Sequence, residues 1–114
     1  MLDRAGTPQD LERLWIARQW DMDIEGMLAL YEPDAVLDYG GGNLAIGHCA
    51  MRKVFIKMAS EKKKFEKGQQ QPAVICGNIA LTSTRFSNGD VTAEVARKQD
   101  DGTWLWVIDK FSII

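Results

Sequence analysis

The chain has 114 residues, with 14 Lys and Arg against 16 Asp and Glu, and a formal net charge of -2 with its single His neutral. That length suits one domain with one core, and the charge disfavours nucleic acid as a general partner. Cys49 and Cys76 stand far apart, with neither metal spacing nor a disulfide framework, and read as two mostly buried free thiols in a reducing cytosol. No apolar stretch is long enough to span a bilayer, and the N-terminus lacks the apolar core of a signal peptide. A cytoplasmic protein with no membrane partner is expected.

The elements follow in order. Thr7-Pro8-Gln9-Asp10 reads as a helix start, with Thr7 as the cap, and Leu11, Leu14, Trp15 and Arg18 share one face behind it. Asp21-Met22-Asp23 breaks that helix. Asp23 caps a short second one, in which Ile24, Met27, Leu28 and Tyr31 are spaced to bury one side and Pro33 sets the end. Asp34 to Tyr39 reads as a strand, Gly40-Gly41-Gly42 as a turn, and Asn43 to Ile46 as a strand paired back. The three glycines match neither a Walker loop nor a dinucleotide fingerprint. Met51, Val54, Phe55 and Met58 define an amphipathic third helix, followed by the solvated lysines 62 to 64.

From Phe65 onward the pattern changes to strands. Pro72 to Cys76, Ile79 to Phe86 and Val91 to Arg97 alternate with turns at Gly77-Asn78 and Asn88-Gly89. The run from Gly102 to Ile114, entered through Asp101-Gly102, is the longest apolar stretch. Strict alternation sets Trp104, Trp106 and Ile108 on one of its faces, and Leu105, Val107 and Phe111 on the other. The expected architecture is α+β: three N-terminal helices, with a short hairpin between the second and third, on a curved and mostly antiparallel sheet.

Small domains of this class hold a pocket between helices and the concave sheet face. Parity groups the residues that can line it. Val107, Asp109 and Phe111 share a face, as do Leu81, Ser83 and Arg85, and as do Thr92, Glu94 and Ala96; Leu37 and Tyr39 oppose Val36 and Asp38. Asp109 stands out, because a carboxylate inside a strand apolar on both faces must be paired, hydrogen-bonded or protonated. Arg85 is its expected ionic partner. Either the two form a structural pair, or Asp109 is an acid or base with a shifted pKa, with Glu94, Asp38 and Tyr39 as further candidates. His48 is an exposed helix-start residue on this reading. One His without an acidic cluster at ligand spacing argues against zinc, and Ser83 and Ser112 lack a nucleophile elbow.

Leu28-Ala-Leu-Tyr-Glu-Pro-Asp-Ala-Val36, Ile46-Gly47, Gly77-Asn-Ile-Ala80, Asp101-Gly-Thr-Trp104 and Ile108-Asp-Lys-Phe-Ser112 together make the chain resemble the NTF2-like superfamily, near its SnoaL-like and DUF4440-type domains. The resemblance runs from about Leu11 to Ile113, within a single domain spanning 1–114 whose core covers about 8–113. It implies a cone of curved sheet closed by helices, often dimeric through the outer sheet face, which would put Trp104 and Trp106 at a subunit interface or under an outer cover. The superfamily includes isomerases, polyketide cyclases, dehydratases, hydrolases and non-catalytic binding domains.

Laid onto the ketosteroid isomerases of that superfamily, the oxyanion-hole Tyr falls at Trp15 and the general-base Asp at Tyr39, with Asp38 one position earlier. The second oxyanion-hole acid falls at about Glu94, two further pocket tyrosines fall at Tyr31 and Phe55, and the apolar wall falls at Val107, Asp109 and Phe111. Two central roles are altered, so steroid isomerisation itself is not implied. The resemblance implies a cofactor-free domain that binds a small apolar or mixed-polarity molecule in a mostly apolar pocket lined by Trp15, Tyr31, Leu37, Phe55, Leu81, Ser83, Arg85, Val107 and Phe111. Proton transfer of isomerase, cyclase or dehydratase type on a small carbonyl compound is one expectation. A non-catalytic ligand-binding or dimerisation domain is the other.

Overall fold

A computed structural model describes residues 3–114. Helix α1 runs Asp10–Trp20 and buries Leu11, Leu14, Trp15, Ile16, Arg18 and Gln19. Thr7 is not its cap. The Asp10 carboxylate instead accepts the backbone N–H groups of Gly6 and Thr7, at 3.1 and 3.0 Å. Helix α2, Ile24–Leu28, is a little over one turn. Asp23 caps it by accepting the Gly26 N–H at 2.9 Å. A Cβ on Gly26 would lie 2.1 Å from that carboxylate, so the cap closes only over a glycine.

Tyr31 does not end the second helix, as its spacing suggested; it opens strand β1, Tyr31–Asp38. Pro33 is tolerated there because pairing with the neighbouring strand is irregular between Tyr31 and Val36. β2, Leu44–Ile46, folds back on β1, and α3, Gly47–Ser60, follows directly. Only two helices therefore precede the sheet, and the third is inserted after its first hairpin. Next come β3, Gln69–Gln70, β4, Val74–Cys76, β5, Ile79–Thr82, β6, Thr84–Arg85, β7, Ala93–Lys98, and β8, Trp104–Lys110. The run expected as one strand from Ile79 to Phe86 breaks at Ser83, and its second part pairs with β3.

The main sheet has the order β2-β1-β8-β7-β5-β4. β1 and β8 pair in parallel and the other neighbours are antiparallel. The feature that decides the site is a bulge in β8. Val95 pairs with Ile108 and Ala96 with Trp106, so Val107 is an extra residue with no partner of its own. A bulge shifts the alternation by one. Trp104, Trp106 and Asp109 all face inward as a result, while Ile108 turns outward.

Trp104 and Trp106 are consequently core residues, with Trp106 only 1% exposed, and not the outer-face residues that the resemblance implied. Trp106 packs on Tyr31 with ring centroids 5.3 Å apart. α3 lays Met51 and Phe55 over the same core. The segment after α3 is pinned to α1: Gln19 donates to the Phe65 carbonyl at 2.9 Å and accepts its N–H at 3.1 Å. Lys64 is not free in solvent; its ammonium lies 4.7 Å from the Trp20 ring centroid. Both cysteines are free and exposed rather than buried.

Candidate functional site

One row of side chains crosses the inner face of the sheet. Ala45 pairs with Leu37, Leu37 with Asp109, Asp109 with Glu94, and Glu94 with Thr82. All five are buried; Asp109 is 4% and Glu94 2% exposed. Two carboxyl groups thus stand directly opposite on neighbouring strands, the arrangement in which like charges destabilise a sheet. Tyr31 donates its hydroxyl to Asp109 Oδ2 at 2.5 Å, and Thr82 donates to Glu94 Oε1 at 2.6 Å. From above, α1 adds Glu12, whose Oε2 is buried without a partner.

Among the described residues no cation balances these acids. Glu12, Trp15, Phe65, Phe86, Asp90, Thr92, Glu94, Asp109 and Phe111 enclose the space between them, and none is basic. Burial comes first in raising the Asp109 pKa well above the ordinary carboxylate value, and the Glu94 charge adds to it, while the Tyr31 hydrogen bond works against it. Glu12 is also pushed well up, by burial and then by Glu94 and Asp109. Glu94 is raised by burial, against hydrogen bonds from Thr82 and Thr92. Acids that resist ionisation this close together influence one another's titration. The Tyr31 phenol is driven well up by burial and by Asp109, and stays a donor.

The chamber is narrower than a pocket for a drug-sized molecule. Its cavity volume is about 20 Å³, room for a water molecule. Trp15, Phe65 and Phe111 fill the rest, with ring centroids 5.5 Å apart for Trp15–Phe65 and 6.0 Å for Trp15–Phe111. Glu12 also borders a groove of about 380 Å³ outside, between α1 and the segment around Lys67, Gly68 and Gln70. It therefore stands between that groove and the inner acids. A larger concavity of about 680 Å³ lies between the N-terminal segment and the start of β8, and none of the buried acids lines it.

The structure thus gathers Asp109, Glu94, Trp15 and Phe111 around one cavity, with Tyr31 reaching in through its hydroxyl. Leu37 and Phe55 belong to the packed core beside it. Asp38 does not come near: it lies on the outer face, paired with Lys110 at 2.7 Å. Tyr39 is 41% exposed at the end of β1. Leu81 points outward, Ser83 donates to the Thr92 carbonyl, and Val107 is the partly exposed bulge residue. Arg85 is exposed on β6 and makes no ion pair among the described residues, so it is not the partner of Asp109. His48 is half-buried, and its Nε2–H donates to the Tyr31 carbonyl at 2.9 Å, which helps fix the start of β1. Glu12, Thr82, Phe65 and Phe86 were not anticipated. Helical spacing carried a signal for the first, since Glu12 lies three residues before Trp15 and seven before Gln19 on a buried face.

A strongly curved sheet closed by helices, with polar groups on its inner face, is the NTF2-like, cystatin-like fold, and this chain has it. A putative calcium/calmodulin-dependent protein kinase type II association domain from Thiobacillus denitrificans superposes with a TM-score of 0.78 at 15% identity, covering 96% of each chain. A ketosteroid isomerase-like protein from Erwinia carotovora atroseptica gives 0.71 at 17% identity, over 90% of this chain and 89% of that one. A protein of unknown function with a cystatin-like fold from Nostoc punctiforme gives 0.72 at 18%, over 90% and 84%. No protein-family model matches the sequence. No curated protein matches it either.

Proposed function

We propose that the chain is a small-molecule-binding domain that exchanges a proton with its ligand through the Asp109–Glu94 pair. The observation behind this reading is that two facing carboxyl groups, with Glu12 above them, are held in the interior without a cation. Such a cluster costs folding energy, and apolar residues of similar volume would relieve it. Strongly perturbed acids converging on one cavity favour a functional role.

When the pair holds one proton, it offers a carboxylic acid and a carboxylate side by side. The acid donates to an oxygen that gains charge, the carboxylate removes a proton from the neighbouring carbon, and Tyr31 supplies a further hydroxyl. Isomerisation, cyclisation and dehydration of a small carbonyl compound all use that pair of roles. A ligand larger than water enters only if the aromatic side chains around the cavity move. The two exposed thiols suit a reducing compartment, in keeping with a cytoplasmic location.

The test is proton exchange. Small ketones and aldehydes are incubated with the protein in deuterated water, and exchange beside the carbonyl is followed by NMR. The reading requires exchange above the buffer rate that is lost in Asp109→Asn and Glu94→Gln while both variants stay folded. Equal exchange in variants and wild type, or none with any compound, argues against it.

A second reading, assembly, has its own observation. On the outer face, Ile46 pairs with Val36, Val36 with Ile108, Ile108 with Val95, Val95 with Leu81, and Leu81 with Val74. This aliphatic row crosses all six strands; Leu81 is 51% and Ile108 48% exposed. Ion pairs flank it, Asp38–Lys110 on one side and Glu32–Arg97 on the other. A continuous apolar strip with polar borders fits a self-complementary dimer interface. The structural neighbour described as an association domain is in keeping with it. Binding inside the cone and pairing through its outer face are compatible.

A further inference from the structure

We infer that the chamber under α1 takes the protonated nitrogen of a small organic amine, gripped between carboxylates and aromatic rings. This rests on the small-molecule-binding reading and gives its ligand a chemical class.

Charge is the first argument. Every titratable group that faces the chamber is acidic: Glu12 from α1, Tyr31 from β1, Glu94 from β7, Asp109 from β8, and Asp90 from the turn before β7. Among the described residues no Lys, Arg or His lines it. An anionic ligand is excluded by repulsion. A neutral one draws nothing from the acids' ionised forms, which a cation favours.

The second argument comes from hydrogen-bond groups left over. Oε2 of Glu12 is buried at the chamber and accepts from nothing in the protein. Trp15 is 4% exposed, lines the same space, and its Nε1–H donates to nothing. Buried polar atoms are seldom left without partners, and an absent ligand or solvent molecule is a standard reason. An ammonium supplies the donor that Glu12 Oε2 lacks, with Glu94 and Asp109 alongside as further acceptors. An oxygen on the same molecule gives the indole N–H its acceptor, so a short amino alcohol satisfies both.

The walls supply the third. Trp15, Phe65, Phe86 and Phe111 surround the acids, and aromatic faces attract organic cations through the ring quadrupole, most strongly when water is excluded. The side chains are not gathered at metal-ligand spacing among the described residues, which favours an organic cation over an inorganic one.

Binding a cation here has a linkage consequence. Burial raises the pKa of each acid in the free protein, and a bound ammonium favours their ionised forms, so protons the acids hold are released on binding. For one proton released, affinity rises about tenfold per pH unit. A neutral ligand shows no such release.

The experiment uses the full chain and three small probes: ethanolamine hydrochloride, ethylene glycol as its uncharged counterpart, and hydroxyacetone as an uncharged carbonyl compound. Binding is followed by the Trp15 indole N–H signal in NMR and by calorimetry in two buffers of different ionisation enthalpy. Ethanolamine is expected to shift the Trp15 signal saturably, to release about one proton, and to bind about tenfold more tightly per pH unit between about pH 5.5 and 7.5. Glu94→Gln weakens it at least about tenfold, and Asp109→Asn serves if that variant does not fold. If hydroxyacetone or ethylene glycol binds as well as ethanolamine, or without it, the amine assignment is wrong while small-molecule binding stands. If no probe moves the Trp15 signal at any pH, both readings fall.

Discussion

Replacing Glu94 by Gln takes one member out of the buried acid group and keeps an oxygen to accept from Thr82. In the unfolded chain Glu12, Glu94 and Asp109 all ionise near about pH 4. In the folded protein burial raises all three, with mutual repulsion adding for Asp109 and Glu12. A group that keeps its proton when folded and loses it when unfolded makes folding less favourable as pH rises. Its contribution is most favourable below the unfolded pKa and diminishes until the folded pKa is passed. Each such group changes stability by about 1.4 kcal/mol per pH unit inside that window. Each of the three acids works in the same direction, from its unfolded pKa up to its raised folded one. A domain of this size has about 5 to 15 kcal/mol in all, so the acids should dominate its pH dependence.

The opposite trend comes from Asp10, Glu25, Asp38 and Asp101, whose pKa values are lowered by hydrogen bonds and cations. Those groups are solvent-screened and weaker. Urea unfolding across this range is the assay. Wild type should become more stable on acidification from about pH 7 to about pH 5, and Glu94→Gln should flatten the slope by about 1.4 kcal/mol per pH unit. A wild type that loses stability over that interval, or a variant with an unchanged slope, refutes the reasoning.

Other outcomes follow from the same structure. Tyr31→Phe removes the donor to Asp109 and should cost about 1 to 3 kcal/mol, read by urea unfolding near neutral pH. Trp106→Ala, at the middle of the core, should cost about 3 to 5 kcal/mol or prevent folding; a loss under 1 kcal/mol would show that the bulge does not bury this ring. Ile108→Glu places a charge at the centre of the outer aliphatic row. Sedimentation should show wild-type dimers and variant monomers with unchanged circular dichroism, and dimers in both would remove the row from the interface. Asp23→Ala should lose about 1 kcal/mol through the α2 cap, measurable by thermal unfolding.

Much of the fold could be read from local patterns. The α3 stripe, the Gly77 and Asn88-Gly89 turns and the apolar final strand each carry their own periodicity, and each forms nearly where that periodicity puts it. The reading failed where one residue reverses a pattern. Nothing local marks Val107 as the extra residue in β8, since the shift appears only when β7 is paired beside it. Missing it sent Trp104 and Trp106 to the wrong face and hid the aliphatic row, which needs Ile108 outside.

Tyr31 was drawn into a helix because its spacing from Leu28 and Met27 is helical. Strand pairing with β8 overrode that preference. For the site, Asp109 and Glu94 stood out as acids in strands. Arg85 seemed the partner of Asp109 because it shares a face with Leu81 and Ser83, but that face is the outer one: Leu81 and Arg85 are exposed while Thr82 and Thr84 are buried. Glu12 was passed over because a glutamate in the first turn of a helix is ordinary, and only the packing of α1 over the sheet takes its Oε2 out of solvent.

The account depends on protons held by Glu12, Glu94 and Asp109 at neutral pH. Carbon-detected NMR of the side-chain carboxyl groups, titrated with pH and assigned through Asp109→Asn and Glu94→Gln, observes those protons directly. Protonated carboxyl signals persisting at about pH 7 and vanishing in the matching variants are the predicted result. If every carboxyl group in the protein is ionised above about pH 5, the buried acid group does not exist in the form described, and the functional reading built on it is contradicted.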